Sequence, residues 1–179
     1  DTVRRQVAIV PQDHFLFSAS IADNIAFAKP DASMEDIMEA ARIAAVHEDI
    51  LGFKEGYATM VGERGVTLSG GQKQRISIAR ALLADCPILV LDDALSAVDA
   101  KTEEAIIHHF RTADHDQAQI IVAHRLSAVS HTDEIIVLED GRIIERGTHE
   151  QLLAHDGWYK ETYDRQQLES LVVPGGRSD

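Results

Sequence analysis

Short apolar runs and helically spaced apolar faces alternate along this chain. "QVAIVP" (6–11) is an apolar run closed by a proline, which predicts a short buried strand. "SASIADNIAFA" (18–28) predicts one or two helical turns, with Ser20 as the N-cap. Met34, Ile37, Met38, Ala41 and Ala45 fall on one helical face of 32–46. Ser33 precedes them, and Asp36 follows it three residues later, as in a capping box. Glycines crowd 52–71 and predict a looping, extended stretch; helical spacing returns from Gln72 to Ala84, with Ile76, Ala79, Leu82 and Leu83 on one side. "ILVLDD" (88–93) is apolar without a break up to its aspartates, which predicts a strand buried on both faces. Helix follows at 101–110 and strand at 119–124. The segment 134–147 places two apolar runs around "EDGR", a hairpin signal because Asp-Gly suits a tight turn. Residues 148–170 read as helix broken near Asp156 and Gly157, and 171–179 as a disordered tail.

Strands alternating with helices predict an α/β fold, a parallel sheet covered by helices, to which the hairpin adds antiparallel pieces. With no repeat, low-complexity tract or linker, one domain over 1–170 accounts for the pattern. Composition narrows the function classes. Of the 179 residues, 45% are hydrophobic, yet no run reaches the ~20 apolar residues of a membrane span. No signal-peptide pattern is visible, and the chain passes from Asp1 almost directly into a strand, so it is expected to be a piece of something longer. A net charge of −13 repels phosphate backbones, so no nucleic-acid partner is expected, though one nucleotide is another matter. The single cysteine, Cys86, excludes an internal disulfide and fits a reducing compartment.

The sharpest chemistry lies in "LSGGQKQRISIARAL" (68–82). Ser69, Gly70 and Gly71 stand just before a strongly helical run, where free backbone N–H groups and the helix dipole favour an anion. A Gly-rich turn that merely caps a helix looks the same locally. The order "AIVPQD", "LSGGQ", "ILVLDD", "SAVD", "IVAHR" is more specific, and it resembles the nucleotide-binding domain of ABC transporters over roughly residues 4–165. That resemblance implies a P-loop NTPase-like sheet with a helical subdomain at 32–84, the remainder of the core at 1–31 and 85–170, and ATP with Mg²⁺ as cofactors. It makes Gln12 the Q-loop glutamine, near both metal and attacking water. Ser69, Gly70, Gly71 and Gln72 become the signature that contacts nucleotide. Asp92 becomes the metal-side carboxylate, Asp93 the position of the catalytic base, His124 the switch histidine and Asp99 the D-loop residue at the dimer contact. "PQDHFLFSASIADNIAFA" and "VGERGVTLSGGQ" resemble the exporter type, which implies that Glu63 contacts the membrane domains of the parent chain at the cytoplasmic face of the inner membrane.

Two departures from the family pattern matter. No G-x-x-x-x-G-K-[ST] phosphate loop is present; in the family it precedes the Q-loop. The chain alone is therefore expected to be inactive, with an exposed sheet edge and poor solubility. The second departure is Asp93, where most members carry glutamate. Asp93 beside an unbroken "LSGGQ" resembles one half of a bacterial heterodimeric multidrug-type exporter, whose partner would be a second half-transporter subunit. Two other readings stay open: a homodimeric exporter with Asp93 as a working base, and an ABC-type ATPase without membrane domains.

Overall fold

A computed structural model of the chain describes residues 6–62, 65–112 and 117–172. The chain divides into two compact units, Asp1–Ala123 and His124–Asp179.

The first unit is built on a parallel sheet of β1 (Val7–Val10), β2 (Ile88–Asp92) and β3 (Ala118–Val122), in that order. Val10 pairs with Leu91, and Leu91 with Ile121, so the carboxyl ends of the strands lie along one edge. Ala8, Val10, Leu89 and Leu91 are buried on one face. On the other face Ile9 is 59% exposed, Ile120 54% and Val122 51%. The expectation that β2 is buried on both sides is therefore corrected: Ile88 and Val90 are only half-buried, because the described residues cover one face of the sheet.

The helices are α1 (Ile21–Ile25), α2 (Met34–Ile43), α3 (His47–Leu51), α4 (Gly70–Leu83) and α5 (Ala100–Thr112). Ser20 caps α1, and Ser33 with Asp36 closes the expected capping box on α2. On α2 it is Ile37, Ala40 and Ala41 that are buried, while Met34 is exposed. The helix stops short of 46 because Ala45 turns to a positive φ of 54°. α4 begins two residues earlier than its apolar spacing indicates, at Gly70, and packs against α1, α2 and β1. Its buried residues surround most of the helix: Gln74, Ile76, Ser77, Ile78, Ala79, Ala81 and Leu83. Burial on several sides is what a central helix requires.

Arg80 ties α4 to the segment after β1. Its guanidinium donates to the Asn24 carbonyl (2.7 Å), the Asn24 Oδ1 (3.0 Å) and the Phe15 carbonyl (3.1 Å). It also lies over the Phe17 and Phe27 rings, which stack at 4.2 Å. Asn24, fully buried, closes the 17–24 loop by accepting from the Phe17 N–H and donating to the Phe17 and Ser20 carbonyls. Phe15 and Phe27 are left exposed beside this anchor.

The second unit pairs β4 (Ile135–Glu139) with β5 (Arg142–Gly147) as the predicted hairpin. Asp140 and Gly141 take φ values of 47° and 73°, the two positive values that a tight two-residue turn needs. α6 (His149–Ala154) is closed by a Thr148–Gln151 capping box, and α7 (Trp158–Val172) follows the predicted break. The Glu145 carboxylate accepts from the Trp158 and Tyr159 N–H groups and so caps α7 from the neighbouring strand. Leu126, Ile135, Val137, Leu152 and Tyr159 form the core of this unit. Residues 173–179 of the expected tail lie outside the described residues. No helix among the described residues is long and apolar enough to cross a membrane.

Candidate functional site

The start of α4 is fixed by reciprocal capping. The Ser69 Oγ accepts from the Gln72 N–H (3.2 Å), and the Gln72 Oε1 accepts from the Ser69 N–H (3.0 Å). The other end of the Gln72 amide donates to Asp49 Oδ1 at 3.0 Å. Gln72 is thus engaged at both ends within the chain. Arg75 completes the anchor, pairing with Asp49 Oδ2 (2.9 Å) and donating to the Ala45 and Gly71 carbonyls. Burial pushes the Asp49 carboxyl up, but the hydrogen bonds from Gln72 and Arg75 outweigh it, and its pKa lies below the ordinary value. The N–H groups of Gly70 and Gly71, in the first helical turn, have no acceptor within the helix.

The two glycines differ in what they are for. A Cβ on Gly70 would meet nothing within 4 Å, so nothing inside the chain requires glycine there. A Cβ on Gly71 would sit 2.8 Å from the Ala97 carbonyl oxygen, so Gly71 is needed for the close approach of the loop after β2. The Gly70 side of this turn is therefore open to an approaching group, while the Gly71 side is packed.

The strand register brings Gln12 and the two aspartates to the same edge of the sheet. Gln12, two residues beyond β1, is exposed, and Asp92 ends β2, also exposed. Ligands of open α/β sheets bind outside this carboxyl edge. Asp93 adopts φ 48°, an uncommon conformation for a residue with a side chain. Its N–H donates to the Val122 carbonyl at 2.9 Å. Its carbonyl accepts from the Ser96 Oγ (2.9 Å), the Ser96 N–H (3.3 Å) and the Gln74 Nε2 (3.3 Å). His14 lies within electrostatic reach of Asp93; burial lowers its pKa, against the opposing pull of Asp13 and Asp93, and its Nδ1 is buried without a partner among the described residues.

Family comparison gives this edge its context. A model described as ABC transporter matches residues 1–96. The chain belongs to the ABC transporter family. Its relatives include the multidrug resistance-like ATP-binding protein MdlA of Escherichia coli (strain K12), 54% identical over 172 residues, which are 96% of this chain and 29% of that protein. The probable multidrug resistance ABC transporter ATP-binding/permease protein YheI of Bacillus subtilis (strain 168) is 54% identical over 168 residues, 94% of this chain and 29% of that protein. Among solved structures, a bacterial Atm1-family ABC exporter with ATP bound superposes with a TM-score of 0.87 at 44% identity, covering 93% of this chain and 29% of that one. The chain spans less than a third of the length of the curated relatives it matches.

Within this ABC domain the expected site residues fall into separate groups. Gln12, Asp92 and Asp93 share the sheet edge, and residues 69–72, expected as the signature, form the cap and first turn of α4. Asp99 caps α5: its carboxylate accepts from the Thr102 N–H (3.0 Å) and hydroxyl (2.6 Å), which lowers its pKa. His124 opens the second unit; its carbonyl accepts from Gln166 Nε2 (2.8 Å), and Gln166 Oε1 accepts from the Leu126 N–H (2.9 Å). Glu63 lies outside the described residues. Three residues had no place in the sequence reading: Asp49, Gln74 and Gln166. Gln74 had a legible signal, a polar residue in a helix whose neighbours are buried, but polarity alone does not name its partner.

The residues present fit the cofactors the family implies. Asp92 is exposed, and its carboxylate makes no hydrogen bond or ion pair with the described residues, so its side-chain oxygens are available. No group of three or more His, Cys, Asp or Glu placed to hold a metal ion occurs among the described residues. One carboxylate with a neighbouring amide suits Mg²⁺, which keeps several waters and takes its other ligands from phosphates.

Proposed function

We propose that this chain is part of the ATP-hydrolysing domain of an exporter-type ABC half-transporter that works as a heterodimer at the cytoplasmic face of the membrane. In this reading, residues 1–170 belong to one nucleotide-binding domain with its signature subdomain at 32–84. Mg²⁺ supplies charge neutralisation to the ATP phosphates, with Asp92 and Gln12 as its protein-side groups. Ser69, Gly70 and Gly71 present a hydroxyl and free N–H groups to the nucleotide of the partner's site, while Gln72 serves by holding their geometry. His124 acts as the switch histidine, Asp99 meets the partner subunit, and Glu63 meets the membrane domains. The exposed Phe15 and Phe27, held by Arg80, support a contact surface on the segment 15–27.

The observation that carries the asymmetry is the fixed backbone of Asp93. A base must come within ~2.6–3.2 Å of the proton it accepts. Aspartate reaches less far than glutamate by one methylene, on the order of 1.5 Å. A backbone shift could restore that reach, but the Asp93 carbonyl is held by Gln74 and Ser96 and its N–H by Val122. The short carboxylate therefore stays short, which supports slow hydrolysis at this chain's own site beside an intact signature for the partner's. The multidrug names carried by relatives support export as the class of work.

Nucleotide retention tests this reading. The intact parent and its partner are loaded with ATP and Mg²⁺, then stripped of free nucleotide. The account expects ATP retained at the Asp93 site and ADP produced at the other. Equal conversion at both sites contradicts it.

A further inference from the structure

We propose that Gln74 is a positioning residue that joins the signature helix and the loop 93–97 into one rigid unit, so that a group bound at Ser69–Gly71 constrains the backbone of Asp93. The coupling to nucleotide rests on the function proposed above; the joint itself rests on geometry alone. Gln74 is 0% exposed, in the second turn of α4. A buried amide is costly unless both ends are satisfied. Here the Oε1 accepts from the Ala97 N–H at 2.9 Å, and the Nε2 donates to the Asp93 carbonyl at 3.3 Å. One side chain of α4 thus grips both ends of a five-residue loop that leaves a strand through an αL aspartate.

Gly71 makes the second contact. Its Cα side faces the Ala97 carbonyl so closely that a Cβ would stand 2.8 Å from that oxygen. The Ala97 peptide is therefore held through its N–H by Gln74 and through its carbonyl side by the packing of Gly71. Displacing the start of α4 must carry Ala97 with it, and Ala97 is joined through the Ser96–Asp93 turn to the carbonyl of Asp93. Neither Ser69 nor Gly70 touches this joint, so the face open to a ligand and the face that transmits its position are separate.

The test is amide hydrogen exchange on the intact parent protein, comparing wild type, Gln74→Met and Gln74→Glu with and without ATP and Mg²⁺. Methionine keeps the length of the side chain and removes both hydrogen bonds. Without nucleotide, the Ala97 amide should exchange on the order of tenfold faster in Gln74→Met, the scale of one buried hydrogen bond, while the amides of 76–83 stay protected and report a folded α4. Gln74→Glu keeps an acceptor for Ala97 and loses the donor to Asp93, so it should restore protection at Ala97. Unchanged exchange at Ala97 in Gln74→Met overturns the joint. With nucleotide, wild type should gain protection at both 69–73 and 93–97, whereas Gln74→Met should gain it only at 69–73. Persistence of the 93–97 response in Gln74→Met overturns the coupling. A wild type that gains no protection at 69–73 would refute the nucleotide reading instead, and the nucleotide-free comparison still decides the joint. In turnover, Gln74→Met should lower kcat with little change in KM for ATP; a raised KM at unchanged kcat would assign Gln74 to binding and overturn positioning.

Discussion

At the residue scale, two adjacent glycines divide their work. Gly70 has open space where a side chain would go, so Gly70→Ala should leave stability within about 0.5 kcal/mol of wild type. Gly71→Ala forces Ala97 to move and should cost about 1–3 kcal/mol, the usual range for overpacking. Thermal unfolding of the parent protein checks both. Gly70→Asp should also fold normally, since a carboxylate at a helix start is favoured by the dipole, yet it should abolish turnover by repelling phosphate. Loss of folding in that variant would remove the contrast. Membership of the ABC family was legible in the sequence because the motifs that carry it are defined by identity and order. The different reasons for Gly70 and Gly71 were not, since they depend on a loop 26 residues downstream of Gly71 at Ala97.

At the element scale, α4 organises the first unit. Its start is held to α3 by Asp49, its second turn to the loop after β2 by Gln74, and its later part to the 15–24 segment by Arg80. The Asp49 contact has a pH signature. Its folded pKa is depressed below the unfolded value of ~3.9, so its ionised form is the one the fold favours. The stability it contributes is complete above about pH 4 and is lost as pH falls through the lower folded pKa. The gap in melting temperature between wild type and Asp49→Asn should be constant at neutral pH and close below about pH 4. A gap that widens with acid would contradict the assignment.

Helices α1, α2 and α4–α7 were legible from spacing, and Ser20 and Ser33 are N-caps in sequence as in structure, whereas the Thr148 cap of α6 was found only in the structure. The short α3 was not, because it has no side-chain cap and owes its position to tertiary partners of Asp49 and Ile50. α4 starts early for a related reason: its first residues are glycines, which carry no apolar signal, and the Ser69–Gln72 capping box sets the boundary.

At the scale of the whole molecule, the first unit presents an apolar sheet face, with Ile9, Ile120 and Val122 each more than half exposed. Parallel sheets are ordinarily covered on both faces. This chain by itself should therefore associate at micromolar concentration, and light scattering should detect it; a monodisperse monomer would contradict that expectation. The alternation of strands and helices made the parallel sheet predictable. The open face was not, because an apolar run indicates that a strand is to be covered without naming what covers it.

The central claim is that this chain serves its partner's site through the signature while its own Asp93 site turns over slowly. Steady-state ATP hydrolysis by the intact parent with its partner tests it most directly. Asp93→Ala should change turnover only modestly, whereas Ser69→Ala in the same chain should lower it by about 100-fold, the scale of losing a preorganised donor at a phosphate. Abolition of hydrolysis by Asp93→Ala, with Ser69→Ala tolerated, would reverse the assignment of the two sites.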